Sequence, residues 1–109
     1  MSGTTSSTSW YNYTTVRYTT GSTVYFTAAR NGMLRYASYG EELNMRLLNQ
    51  NGTVLSGSAH WIYDTLDRVY DEGRKTLISN ISTNYPFRIS VCCYYGYTGD
   101  QSWNGSLQY

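Results

Sequence analysis

Phe87-Arg88-Ile89-Ser90-Val91-Cys92-Cys93-Tyr94-Tyr95 is the stretch that decides the fold. Phe87, Ile89, Val91, Cys93 and Tyr95 fall on one side of a period of two. Arg88, Ser90, Cys92 and Tyr94 fall on the other. Successive side chains of a strand point to opposite faces, so this pattern predicts a half-buried β-strand entered through Pro86. The same period recurs upstream. Trp10, Asn12, Thr14, Val16 and Tyr18 alternate with Tyr11, Tyr13, Thr15 and Arg17. Val24, Phe26 and Ala28 alternate with Tyr25, Thr27 and Ala29. Leu43, Met45 and Leu47 alternate with Asn44 and Arg46, which favours a strand over the helix that Leu43 and Leu47, four apart, would also permit.

Turn signals separate these runs. Thr20-Gly21-Ser22, Asn31-Gly32 and Asn49-Gln50-Asn51-Gly52 supply residues that tolerate positive φ, and Asn31-Gly32 is the strongest hairpin signal of the three. It makes Met33 to Tyr39 a return strand. Thr76 to Ile81 and Trp103 to Tyr109 complete the strand set, with Gly96 to Gln101 as a loop. Residues 59–75 are ambiguous: Ile62, Leu66, Val69 and Tyr70 recur at helical spacing, and Gly73 is placed to end a helix. One short helix at 60–72, or a long connection, fits. The predicted architecture is all-β, an antiparallel β-sandwich of about seven or eight strands.

Composition narrows the function. A chain of 109 residues is one domain with room for one core. Residues 1–9 are Ser, Thr and Gly after Met1, which predicts a disordered tail ahead of a single domain at 10–109. Thirteen tyrosines are the outstanding excess, and charged residues make up 14%, against roughly 25% in ordinary soluble domains. This polar, uncharged composition is more typical of extracellular than of intracellular proteins. The expectation is a secreted protein, or a cytosolic one if Met1 is the native start, since Ser2 to Ser9 carry no signal-peptide pattern. A net charge of +1 with no Lys/Arg run removes the electrostatic basis for nucleic-acid binding. No apolar stretch is long enough for a transmembrane helix. Cys92 and Cys93 are adjacent and point apart in a strand, so no disulfide framework is expected; Cys93 reads as the buried thiol and Cys92 as half-exposed.

The run Glu42-Leu43-Asn44-Met45-Arg46-Leu47-Leu48-Asn49-Gln50-Asn51-Gly52-Thr53-Val54-Leu55-Ser56-Gly57-Ser58 resembles a hairpin of the bacterial pre-peptidase C-terminal (PPC) domains. Phe87-Arg88-Ile89-Ser90-Val91 followed by Tyr94-Tyr95-Gly96-Tyr97-Thr98-Gly99-Asp100 looks like the closing hairpin of the same family. The resemblance covers about a third of the chain. Asn44 stands where that family often has Asp, Tyr85-Pro86 replaces a usual Gly-Thr, and residues 59–80 have no counterpart. It implies a jelly-roll-like sandwich on a secreted bacterial protein, acting as an accessory binding or stabilising module.

Catalytic patterns are sparse. One histidine, His60, and two adjacent cysteines do not make a zinc set, and no phosphate-binding glycine loop or cofactor motif is present. Asp64, Asp67, Asp71 and Glu72 read as a solvated acidic face rather than a glycosidase pair. The aromatics carry the functional expectation. Tyr and Trp rings stack on the C–H faces of sugars while amides and carboxylates hold the rims. Tyr94, Tyr97 and Trp103 flank a loop with Asp100, Gln101 and Asn104, and Tyr109 lies close by in sequence. Tyr94, Tyr97, Asp100, Trp103, Asn104 and Tyr109 are therefore the candidate ligand-binding set, with Trp10, Tyr11 and Tyr13 as a second cluster. The expected function is a non-catalytic binding module for polysaccharide or cell-envelope material, with no metal or cofactor. The alternatives are a small secreted antagonist (bacteriocin-like toxin or protease inhibitor) and a self-associating structural surface protein. The oligomeric state is left open by the sequence.

Overall fold

The computed structural model describes residues 1–5, 9–29, 41–64, 69–70, 73–94 and 101–109. The predicted hairpin at Asn31-Gly32, its return strand and most of the Gly96–Gln101 loop lie outside the described residues. The chain is all-β, and no helix occurs among the described residues. In chain order the strands are β1 (Ser2–Thr5), β2 (Tyr11–Asn12), β3 (Arg17–Tyr18), β4 (Val24–Ala28), β5 (Glu41–Asn49), β6 (Ala59–Asp64), β7 (Val69–Tyr70), β8 (Gly73–Ile78), β9 (Pro86–Tyr94) and β10 (Gln101–Gln108). They form two antiparallel sheets. The smaller runs β1-β10-β4-β8, and the larger runs β2-β9-β5-β6-β7 with β3 also paired to β9.

The sandwich follows from the alternation. Phe87, Ile89 and Val91 of β9, Leu43, Met45 and Leu47 of β5 and Trp61 of β6 face inward from the larger sheet. Val24, Phe26 and Ala28 of β4, Leu77 of β8 and Trp103 of β10 meet them from the smaller one, and all twelve are buried. Phe26 sits at the centre of an aromatic knot. Its ring lies edge-on to Trp61 at 5.5 Å and to Trp103 at 5.8 Å between centroids, within the range where such pairs add to simple area burial. Gly105 makes room for that ring: a Cβ there would run into the Thr27 carbonyl oxygen and the Phe26 ring.

Two expectations are corrected. The described residues of 60–72 form strands rather than the short helix: Ala59–Asp64 pairs along β5 with Leu43 opposite Trp61, and Val69–Tyr70 pairs back on Asp64 and Tyr63. The helical spacing loses to tertiary pairing, because a strand here buries Trp61 fully and lets its Nε1 donate to the Gly73 carbonyl at 2.9 Å. Gly73 does adopt positive φ, +104°, but as the first residue of β8 rather than a helix end. The second correction concerns the tail. Ser2–Thr5, read as disordered, is an edge strand on β10 with Gly3 opposite Trp103. The absence of a side chain at Gly3 is what admits it, since a Cβ there would overlap the Trp103 ring and the Tyr13 hydroxyl.

The run from Trp10 to Tyr18 pairs in two pieces. Five residue steps separate Asn12 from Arg17, yet their partners Ser90 and Phe87 are three steps apart, so two extra residues loop out between β2 and β3. Tyr13 still donates its N–H to the Ile89 carbonyl at 3.0 Å, and Arg88 Nε donates to the Tyr13 carbonyl at 2.7 Å. The Asn49–Gly52 turn is as the sequence predicts. Gly52 takes φ +89°, and the Asn49 side-chain oxygen accepts from the N–H groups of Asn51 at 2.9 Å and Thr53 at 3.0 Å.

Thr19 holds the loop that precedes β9. Its buried hydroxyl donates to the Ser82 carbonyl at 2.6 Å and accepts from the Tyr85 N–H at 2.9 Å, while its own N–H bonds the Tyr85 carbonyl at 3.1 Å. Thr19→Val keeps the shape and strands both side-chain partners, so urea unfolding is expected to show a loss of about 1–3 kcal/mol. Wild-type stability in that variant would mean the loop is held by its backbone alone.

Candidate functional site

Of the six predicted contact residues, the structure describes the side chains of Trp103, Asn104 and Tyr109. Trp103 is corrected outright: at 1% exposure its ring is core, between Phe26 and Tyr13, and offers no face to a ligand. The parity of β10 explains this, because Trp103, Gly105 and Leu107 point inward from the same side. Asn104 points the other way and is half-buried, with its Oδ1 lacking a hydrogen-bond partner. Tyr109 is exposed at the end of the chain, edge-on to Phe87 at 5.3 Å. Tyr94 closes β9 opposite Glu42, and only its backbone is described. Tyr97 and Asp100 lie outside the described residues.

The second aromatic cluster is assembled instead. β2 forms an edge of the larger sheet, with Tyr11 opposite Val91 and Asn12 opposite Ser90. Alternation sends Tyr11 and Tyr13 towards the rim of the sandwich and Trp10 and Asn12 over its outer face. The Tyr13 ring stands edge-on to Trp103 at 5.9 Å and packs against the core. Tyr11 stands edge-on to Tyr13 at 4.8 Å and is 56% exposed. An exposed ring is thus held by a half-buried ring, which is held by a buried one. Further along the same edge Tyr18, opposite Pro86, is 52% exposed, with the exposed Val16 two residues before it. Tyr25 is half-buried on the smaller sheet with Arg74 over its ring at 4.7 Å.

The outer face of the larger sheet carries a polar set that composition did not flag. Cys92, expected to be half-exposed, is buried, and it lies opposite Asn44. Asn44 also lies opposite His60 on the other neighbouring strand. Arg46 lies opposite Ser90, whose hydroxyl donates to Asn12 Oδ1 at 2.7 Å, and the Arg46 guanidinium lies 4.0 Å from the centre of the Trp10 ring. The sequence signal for this set was the alternation of Asn44 and Arg46 with Leu43, Met45 and Leu47.

Among the described residues no group of three or more His, Cys, Asp or Glu side chains is placed to hold a metal ion. Of the acidic candidates, Asp64 ends β6, its side chain not described, and Asp67, Asp71 and Glu72 lie outside the described residues. No helix among the described residues is long and apolar enough to cross a membrane. The architecture defines the class as an antiparallel two-sheet β-sandwich. The chain matches no family model, no curated protein and no solved structure.

Proposed function

We propose that the protein is a non-catalytic binding module, secreted by a bacterium, that contacts glycan or cell-envelope polysaccharide through tyrosines on the β2–β3 edge. The observation that carries this reading is Tyr11, a mostly exposed ring buttressed by Tyr13 and, through it, by Trp103. A sugar presents C–H groups that stack on such a ring, and a ring already fixed loses little freedom on binding. Tyr18 extends the aromatic edge. Asn104 supplies an amide, and Tyr109, Tyr94, Tyr97 and Asp100 belong to the same reading as further contacts. Trp103 becomes a support for the surface rather than part of it. The resemblance to the pre-peptidase C-terminal domains fits an accessory role of this kind.

The test is binding to a glycan array and co-sedimentation with insoluble cell-wall polysaccharides. The wild-type protein is expected to bind in at least one format. Tyr11→Ala is expected to lose about 1–2 kcal/mol of affinity, roughly five- to thirtyfold, because it removes the stacking face. Its unfolding free energy should change by less than about 1 kcal/mol, since the ring is mostly in solvent. Absence of wild-type binding in both formats would sink the reading. Growth inhibition of related bacteria by the intact protein would instead favour a secreted antagonist.

A further inference from the structure

We propose that the outer face of β5 and β9, around Asn44 and Arg46, binds a carboxylate carried by a small acidic ligand. The outer face of an antiparallel sandwich is ordinarily wet. Here it is closed. Ser90 is fully buried, Asn44 is 7% exposed and Cys92 is 2% exposed, although all three point away from the core. The register builds two adjacent polar rows, with Asn12, Ser90 and Arg46 in one and Cys92, Asn44 and His60 in the next. Residues two apart on a strand share a face and stand about 7 Å apart, so the two rows form one patch.

The hydrogen-bonding inventory of that patch is lopsided. Asn44 Nδ2 and Arg46 Nε are buried N–H donors with no acceptor. Ser90 donates its hydroxyl proton to Asn12 Oδ1, and neither of those oxygens accepts from Asn44 Nδ2 or Arg46 Nε. Native interiors leave few buried donors unmet, and an unmet pair beside a cation calls for an acceptor that is itself charged. No carboxylate stands among the described side chains of these two rows. Glu42 shares the face one step further along β5, and its side chain is outside the description.

A carboxylate fits this set. It only accepts, it has two oxygens to share between a guanidinium edge and an amide N–H, and its charge offsets that of Arg46. The Trp10 ring against the guanidinium fixes the plane of those donors before any ligand arrives. A buried water could serve either donor but would leave the charge unmatched. Trp10 and Asn12 reach this face while Tyr11 and Tyr13 reach the rim, so the site stands independently of the polysaccharide reading.

The experiment is a titration of the ¹⁵N-labelled full chain with sodium acetate and with sodium glucuronate. Sodium chloride at matched ionic strength and neutral acetamide serve as controls. The side-chain resonances of Arg46 Nε–H and Asn44 Nδ2 are read. Both should move saturably with the two carboxylates and stay put with chloride and acetamide. Tighter binding of glucuronate than of acetate would assign the carboxylate to an acidic sugar, and equal binding would assign it to the carboxylate alone. Arg46→Lys keeps the charge but loses the fork, and should weaken the response of Asn44 about tenfold. The wild-type titration decides the matter even if that variant folds poorly. No saturable shift, equal shifts with chloride, or a long-lived water at Arg46 Nε that carboxylates do not displace would each overturn the proposal.

Discussion

Trp103→Ala is expected to lower the unfolding free energy by about 3–5 kcal/mol, the range for deleting a fully buried large aromatic. The indole is 1% exposed and touches three parts of the fold: Phe26 at 5.8 Å, Tyr13 at 5.9 Å, and Gly3 of the edge strand. Its removal opens a cavity between the sheets and also loosens β1, whose Gly3 lies against that ring. A domain of this size has about 5–15 kcal/mol in total, so urea unfolding followed by far-UV circular dichroism should show a much earlier midpoint. Trp103→Phe gives the sharper contrast. Trp103 Nε1 is buried without a partner, so the phenyl ring removes an unmet donor while it keeps most of the packing. Its cost should be about 1 kcal/mol. Equal losses in the two variants would argue against the core placement. Any loss of ligand binding in Trp103→Ala would report unfolding, not a lost contact.

Gly105→Ala is expected to be as severe, for the opposite reason. A methyl group at this position of β10 would overlap the Thr27 carbonyl oxygen of the neighbouring strand and the Phe26 ring at 2.9 Å or closer. The carbonyl belongs to a ladder that pairs Gly105 with Ala28 and Ser106 with Thr27, so the backbone has little freedom to yield. Overpacking costs about 1–3 kcal/mol in cores that can adjust, and the upper end or beyond is expected here. Gly57→Ala is the matched control. Nothing lies within 4 Å of its would-be Cβ, and the change should be neutral or slightly stabilising through the unfolded chain. Thermal midpoints of the two variants, measured together, check both statements. A Gly105→Ala protein as stable as Gly57→Ala would contradict the strand order β10-β4.

The strands were legible where polarity alternates and burial is one-sided. Phe87 to Val91, Leu43 to Leu47 and Val24 to Ala28 each place their apolar residues on the core face, as a period of two requires. The Asn49–Gly52 turn was legible because its residue types match what positive φ and side-chain capping demand. Residues 59–72 were not, since Ile62, Leu66, Val69 and Tyr70 satisfy a helical period by coincidence, and only pairing with β5 reveals Trp61 as an inward residue. Ser2–Thr5 carries no apolar pattern at all; its order comes from β10 and from the space over Trp103. In the candidate site, proximity in sequence groups Trp103 with Asp100 and Asn104, whereas its parity with Gly105 and Leu107 places it on the inner face. The tyrosine excess divides accordingly, with Tyr13 and Tyr25 serving as packing and Tyr11 and Tyr18 left on the edge.

The most direct measurement is affinity electrophoresis of the wild-type protein, Tyr11→Ala and Tyr11→Phe through gels containing the polysaccharide that the wild type binds best. Thermal unfolding of each variant is recorded alongside. Wild type and Tyr11→Phe should be retarded alike, while Tyr11→Ala runs freely and remains folded, because the stacking face and not the hydroxyl makes the contact. Equal retardation of all three, with Tyr11→Ala fully folded, would contradict the assignment of the β2–β3 edge as the binding surface.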